Sequence, residues 1–341
     1  MKIFAAIALA VALLGCGKKK EAPKKNISPE DRKLLTFLPT ESQIVIGLDA
    51  AALRESPLVQ RGVRKLFEKD RGLADEFKSI REQCKFSIGE DLSYLLVGLK
   101  DERTILVARA EGVFNQGALT ACIQARVSSD GGTLTAKRFG NKWGYQLLPK
   151  ANEKPIYFVL ASEAVMLVST AEAWLAPRDT NGPSLEALGK TDFGATVWAA
   201  GIVPEAVGKG LIEATGSSVS APPQTIYGHL DLGDGLFAGL FIGMGSEADA
   251  EALTTMASSQ MGALAAVAQK VKLAPVIRRV KVTRENQEVA FTVELSEKEL
   301  ADITANVDSG STKGQDFPPQ REGRTKDGNA KDNKRVTPAN R

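Results

Sequence analysis

The single histidine, His229, is the residue of this chain best suited to general acid–base chemistry. Asp231 follows at the second position after it, so a strand would project both side chains to the same side. A hydrolytic triad also needs a nucleophilic serine on a sharp strand-to-helix turn, and the sequence offers no serine in such a context. We therefore predict a surface histidine and no catalytic residue.

Residues 243–248 (GMGSEA) fit the Gly-x-Gly-x-x-Ala pattern of a dinucleotide-binding turn. That site needs a parallel strand–helix–strand unit and an acidic side chain about 20 residues later to bind the ribose. Here the preceding strand is the second arm of a predicted hairpin, and no Asp or Glu lies between Glu251 and Glu285. The pattern is better explained as a short loop with a helix N-cap, and no cofactor is predicted.

Metal ligands are sparse. One histidine and two cysteines in the body cannot form a zinc site of the common types. Asp231 and Asp234 lie near glycines, but no loop supplies oxygen ligands at alternating positions, as calcium loops do. Turn chemistry explains both aspartates, so no metal site is predicted. The scattered Trp143, Trp174 and Trp198 are predicted to pack in the core or in hairpins.

The N-terminus carries the clearest chemical signal. Lys2 precedes an unbroken apolar run at residues 3–14. A membrane-spanning helix needs about 20 apolar residues, so this run has the size of a signal-peptide core. The run ends in Leu13-Leu14-Gly15-Cys16, which has a branched apolar residue three positions before a cysteine and a small residue directly before it.

This sequence resembles the bacterial lipobox. The resemblance implies a signal peptide at residues 1–15, cleavage before Cys16, and attachment to a lipid bilayer through acylated Cys16. Gly17, in place of an aspartate, favours the outer membrane over the inner one under lipoprotein sorting rules, with the body in the periplasm or at the cell surface. The alternative is an ordinary secretory signal with a chance cysteine.

Charge is distributed unevenly along the chain. Residues 18–25 contain five lysines and Glu21, so residues 16–27 are predicted to form a flexible basic tether beside anionic lipid headgroups. Residues 306–341 are also basic and are rich in Gly, Asp, Lys, Asn and Pro, which predicts a disordered polar tail. The body between them is acidic, which argues against nucleic-acid binding.

Cys84 and Cys122 are the remaining cysteines. Export would place this even pair in an oxidising compartment, where a disulfide is favoured. Each cysteine lies on the apolar face of a predicted helix. Two buried free thiols are the alternative.

The 341 residues alternate predicted hairpins with helices, and the order restarts after residue 180. Residues 28–180, with both body cysteines, and residues 190–305 each follow the order strand, helix, hairpin, helix, hairpin, helix. This predicts an internal duplication and an α+β fold of two similar halves, in which antiparallel hairpins form a sheet and helices pack on one face of it. The pattern leaves open whether the halves form one sheet or two.

Ser56-Pro57 begins a helix whose inward face is predicted to contain Val59, Val63, Leu66 and Phe67. Residues 276–284 are predicted to form the first strand of the last hairpin.

The body resembles uncharacterised lipoproteins of myxobacteria and related groups. The likeness lies in Leu38-Pro39, in residues 45–49 (VIGLD), in residues 53–58 (LRESPL), in a cysteine before a strand pair and in Phe114 followed by residues 119–122 (LTAC). It covers about the first half of the body. These are structural motifs, so the resemblance implies no activity.

Three functions remain. The first is a non-enzymatic envelope lipoprotein with a structural or interaction role, whose sheet or helical faces bind an envelope protein partner. The second is a periplasmic carrier or chaperone-like binder of an apolar ligand. The third is a hydrolase with an unrecognised site.

Overall fold

The computed structural model describes residues 28–110, 114–150, 153–176, 182–215, 218–233, 235–269 and 273–308. The predicted signal peptide (1–15), the predicted lipidation site Cys16 with its tether to residue 27, and the tail from residue 309 lie outside these residues.

The described strands form one sheet of twelve. They are β1 (Ile44–Asp49), β2 (Leu92–Lys100), β3 (Arg103–Ala110), β4 (Thr133–Phe139), β5 (Lys142–Leu148), β6 (Ile156–Ser162), β7 (Val165–Ser169), β8 (Val197–Ile202), β9 (Thr225–Asp231), β10 (Gly235–Gly243), β11 (Lys281–Glu285) and β12 (Glu288–Ser296). Their spatial order is β11-β12-β10-β9-β8-β1-β2-β3-β7-β6-β5-β4. All the pairings are antiparallel.

Helices connect the groups of strands. They are α1 (Pro29–Leu34), α2 (Ala50–Glu55), α3 (Pro57–Lys69), α4 (Arg71–Cys84), α5 (Ile88–Asp91), α6 (Gln116–Ser129), α7 (Glu205–Ala214), α8 (Glu247–Gln269), α9 (Ala274–Ile277) and α10 (Glu297–Asp308). Short 3₁₀ helices lie at Leu35–Phe37, Glu172–Leu175 and Glu186–Lys190. The predicted α+β class is confirmed. α10 extends three residues past the boundary predicted at residue 305.

The antiparallel pair β1–β8 joins the two groups of strands near the centre of the sheet. The β-branched residues Ile44, Val45 and Ile46 suit a pleated strand with neighbours on both edges. Outward from β1 the order is β2-β3-β7-β6-β5-β4, and outward from β8 it is β9-β10-β12-β11. On each side the first two strands, β2-β3 or β9-β10, follow the order of the chain. The remaining strands, β7-β6-β5-β4 or β12-β11, run in the reverse of that order. This layout is compatible with two similar halves, and it places both in one sheet.

One face of the sheet, here called the Val45 face, holds the main core. Val45, Leu96, Val107 and Val159 are fully buried on this face. Leu34 of α1, Leu38 directly after the first 3₁₀ helix, and Trp174 and Leu175 of the second 3₁₀ helix cover it. The hydrophobic effect from this burial, at about 25 cal/mol per Å² of apolar surface, is the main term that holds β1 in the centre.

The longer helices pack on the opposite face, here called the Ile46 face. α6 contacts it through Leu119, and α8 contacts it through Leu253. The prediction of helices on one face therefore describes α6 and α8, whereas α1 packs on the Val45 face.

The last predicted hairpin needs a correction. Residues 274–277 form α9, and β11 begins only at Lys281. Pro275 occupies the first turn of α9, where its missing N–H costs nothing, and Val276 is buried beside Leu295. The prediction of a strand over residues 276–284 was wrong in its first half for this reason.

Candidate functional surfaces

His229 is not the surface histidine that the sequence predicted. It lies on β9 on the Val45 face, and its ring stacks on Phe237 and Phe241 at centroid distances of 5.3 and 5.7 Å. Burial lowers its pKa below the usual value, and the nearby Asp192 and Asp231 carboxylates act in the opposite direction. The ring is therefore a neutral packing element. The alternating polarity along β9 could not show that Phe237 and Phe241 of β10 pack against it.

The loop after β10 forms an N-cap. Ser246 Oγ accepts a hydrogen bond from the Asp249 amide at 3.1 Å. The buried Asp249 carboxylate in turn accepts from the Ser220 amide and from the Ser246 hydroxyl. These hydrogen bonds lower the pKa of Asp249, and the one from the Ser220 amide contributes most. β10 pairs antiparallel with both of its neighbours, so the loop serves helix capping and lies in no parallel crossover.

The aspartates near glycines have separate positions. Asp231 accepts a hydrogen bond from Thr196 Oγ1 at 3.1 Å, whereas Asp234 lies outside the described residues. Within the described ranges, no group of three or more His, Cys, Asp or Glu side chains is arranged to hold a metal ion. Trp174 and Trp198 are buried in the core, whereas Trp143 is 61% exposed on its hairpin.

Cys84 and Cys122 lie at disulfide distance, with their Cα atoms 5.0 Å apart. Cys84 ends α4, and Cys122 faces it from the middle of α6. Arg126 of α6 adds hydrogen bonds to Glu76 Oε1 at 2.9 Å and to Ser79 Oγ at 3.3 Å. α4 is thus held against α6 at its C-terminal end.

α3 presents an apolar strip that the described chain leaves uncovered. Val63 is 42% exposed and Leu66 is 49% exposed, and α3 contains no buried residue. The prediction of Val63 and Leu66 as inward-facing was therefore wrong. Helical spacing reports that a strip is apolar, but it does not report whether the same chain covers the strip.

The polar side of α3 is basic. Arg61, Arg64, Lys65 and Lys69 outnumber the single acidic residue, Glu68. An apolar strip opposite a basic side is typical of helices that lie against an anionic surface or a partner. Among the described helices, none combines the length and the apolar character needed to cross a membrane.

A second uncovered surface runs along the middle of the Ile46 face. One register row crosses all twelve strands and contains no charged side chain. It consists of Ala136, Tyr145, Phe158, Val168, Leu106, Val97, Ile46, Ala199, Gly228, Leu240, Phe291 and Val282.

The middle of this row is only partly covered. Ile46, Val97 and Leu106 are partly exposed and belong to none of the buried clusters formed by the described residues. Leu240 is 36% exposed. α6 and α8 cover opposite ends of the face, so the row provides an apolar floor between them. The alternation of apolar residues along each strand is visible in the sequence. Only the strand order shows that these residues form one continuous row.

Comparison with known proteins gives little further information. No protein-family model matches the sequence, and no curated protein matches it. A solved structure described as "Structure of crystal form I of TP0453" is similar at 9% identity and a TM-score of 0.43, covering 83% of this chain and 98% of that one. A likeness at this level carries no argument about function.

Proposed function

We propose that this protein is a lipid-anchored component of a bacterial cell envelope that acts by binding another envelope component, without catalysis. The sequence support is Leu13-Leu14-Gly15-Cys16, with outer-membrane sorting favoured by Gly17. The structural observation that carries the interaction role is the uncovered apolar strip of α3, at Val63 and Leu66. Exposed apolar side chains grouped on one strip are typical of binding surfaces.

The anchor is tested by cell fractionation. Wild-type protein should sediment with outer-membrane vesicles, and Cys16→Ser should appear in the soluble periplasmic fraction, because no acyl chain then holds it. A Cys16→Ser protein that still sediments with membranes would contradict the lipidation of Cys16.

The interaction role is tested by crosslinking in cells. A photoreactive amino acid at position 66 should give adducts with an envelope protein, whereas the same group at position 61, on the polar side of α3, should not. Equal adducts at both positions, or none at position 66, would argue against α3 as a binding surface.

A second function is favoured by the apolar row of the Ile46 face. A floor of partly exposed side chains between two helices suits an apolar ligand, which gives the alternative role of carrier. Solvent extraction of the purified protein and mass spectrometry should then recover an apolar molecule. Leu240→Gln should reduce the recovery, and Ile202→Gln, an equally exposed position on the Val45 face, should not.

A further inference from the structure

A groove with a volume of about 530 Å³ lies on the Ile46 face, between α6 and the strands β4 and β5. Its wall comes from α6, where the lining residues recur at spacings of three or four between Gln116 and Gln124. Its floor is formed by Leu134 of β4 and Tyr145 of β5. A volume of this size is typical of sites for small ligands, which occupy about 300–1,000 Å³.

The polar groups of the groove are uncharged. Among the described residues, no charged side chain lines it. Gln116, Thr120 and Tyr145 line it, and their side chains form no hydrogen bond with other described residues. Gln124 donates a hydrogen bond to Ser128 Oγ at 2.8 Å, which leaves its carbonyl oxygen as an acceptor. The groove therefore presents donors and acceptors without a net charge.

Aromatic rings form one side of the site. Tyr145 stacks on Phe158 with a centroid distance of 5.0 Å. Ala136 lies directly opposite Tyr145 on β4 and is exposed, and its methyl group does not fill the space beside the ring. Trp143, two residues before Tyr145 on the same face of β5, is 61% exposed although the Arg138 guanidinium lies over its ring at 5.7 Å. Strand rise separates the two aromatic Cα atoms by about 6.6 Å.

This lining selects among classes of ligand. An ionic ligand would find no opposite charge in the groove. An apolar ligand would cover the Gln116 amide and the hydroxyls of Thr120 and Tyr145 without replacing their hydrogen bonds to water, which is unfavourable. A sugar ring carries hydroxyl groups at its edge and C–H groups on its face, so it can satisfy these groups and also lie on an aromatic ring.

We propose that this groove binds a neutral oligosaccharide of the cell envelope, with one sugar ring on Tyr145 and a neighbouring ring on Trp143. The polar side chains of α6 hydrogen-bond to hydroxyl groups of the first sugar, and the small residues Gly117 and Ala121 leave room for its ring. The proposal rests on the envelope interaction role proposed above, but its site is separate from α3 and from the anchor.

The test uses the full-length protein in a detergent that has no sugar headgroup. The neutral probes are maltotetraose, cellotetraose and tetra-N-acetylchitotetraose. The comparison ligands are tetragalacturonate, which is anionic, and a blocked hexapeptide of alternating glycine and serine. Titration calorimetry should show binding of at least one neutral tetrasaccharide and of neither comparison ligand. Binding of no neutral tetrasaccharide, or equal binding of the peptide or of tetragalacturonate, would overturn the proposal.

Three variants locate the site. Thr120→Val and Tyr145→Phe each remove one hydroxyl and should weaken the bound tetrasaccharide by roughly fivefold, the effect of one lost hydrogen bond. Ala121→Leu fills the groove and should abolish binding. Thr255→Val, at an exposed threonine of α8, is the matched control and should leave the affinity unchanged. Equal effects of Thr120→Val and Thr255→Val, or normal binding by a folded Ala121→Leu protein, would show that the saccharide binds elsewhere.

Trp143 provides a spectroscopic measurement, because the other two tryptophans, Trp174 and Trp198, are buried. Saccharide binding should shift tryptophan emission to shorter wavelength, and Trp143→Ala should remove the shift and weaken binding by roughly fivefold. An unchanged affinity in Trp143→Ala would contradict the contact with the second sugar ring. Failure of these tests leaves the fractionation of Cys16→Ser and the crosslinking at position 66 unaffected, so it can be distinguished from failure of the proposed function.

Discussion

The indole N–H of Trp198 donates a hydrogen bond to the hydroxyl of Tyr94 at 2.7 Å across β1. Trp198 belongs to β8 and Tyr94 to β2, and both side chains are buried on the Val45 face. Burial raises the pKa of Tyr94 well above its usual value, so the phenol stays protonated. This contact joins the two sides of the sheet through their side chains, in addition to the backbone pairing of β1 with β8.

Tyr94→Phe should reduce the free energy of unfolding by about 1–3 kcal/mol, because the buried indole N–H of Trp198 would lose its acceptor. The measurement is urea unfolding of the full-length protein. Tyr145→Phe, at a partly exposed tyrosine, is the control and should change stability by less than about 0.5 kcal/mol. Equal effects of the two substitutions would show that the Trp198 contact contributes little.

Two glycine substitutions should act in opposite directions. An added Cβ at Gly47 would overlap the Trp198 ring, so Gly47→Ala should destabilise by about 1–3 kcal/mol. An added Cβ at Gly62 of α3 meets no atom within 4 Å, so Gly62→Ala should stabilise by roughly 0.5–1 kcal/mol through helix propensity. Thermal and urea unfolding measure both, and a tolerated Gly47→Ala would disprove the close packing of Trp198 on β1.

His229 predicts a loss of stability in mild acid. Burial lowers its pKa in the folded state, so the unfolded chain binds a proton more readily as the pH falls. The neutral form is present in both states above about pH 7, and stability should decline below the unfolded pKa of about 6.5. His229→Gln should flatten this part of the stability–pH profile between pH 7.5 and 5.5. An identical slope in both proteins would refute the burial effect.

The cysteine pair predicts a covalent bridge between α4 and α6. Mass spectrometry without reductant should find Cys84 joined to Cys122, and two free thiols would contradict the prediction. The two residues are 38 positions apart, so reduction should destabilise the chain by roughly 4 kcal/mol in the chain-entropy account. The Cys84→Ser, Cys122→Ser double variant should match the reduced protein and should not respond to reductant.

Val63→Ser together with Leu66→Ser should leave stability within about 0.5 kcal/mol of wild type, because both side chains are already exposed. The same variant should bind less of a dye that fluoresces on apolar surfaces. A large loss of stability would mean that α3 is covered in solution, which would remove the support for the interaction role.

Local patterns predicted most elements of the fold. β-branched runs with turn residues between them identified β1 and the hairpins. The helix N-cap predicted within residues 243–248 is present, because Ser246 Oγ accepts a hydrogen bond from the Asp249 amide at 3.1 Å. The joining of β1 to β8 was not predictable, because both strands are short apolar runs with no mark of their partner. α9 was missed because the spacing of Val276, Val280 and Val282 also fits a strand.

The candidate surfaces were harder to predict than the fold. The amphipathic spacing of α3 was recognised, yet exposure depends on neighbours that the local pattern does not contain. Trp143 was assigned to hairpin packing because its position at the end of the sheet follows only from the strand order. His229 was assigned to the surface because the sequence does not show that Phe237 and Phe241 reach it from the next strand. Each of these outcomes is set by contacts between distant segments.

The place of β1 between β2 and β8 has a consequence for the order of folding. Val197 follows Asp49 by 148 positions, so β1 must wait for most of the chain to be synthesised before its second edge is paired. Until then β1, which is near the centre of the finished sheet, would stand at the edge of a chain of seven strands. Closing so long a loop costs entropy and slows the final step. While β1 stands at an edge its unpaired backbone groups can pair with another chain, so this interval exposes the growing chain to aggregation.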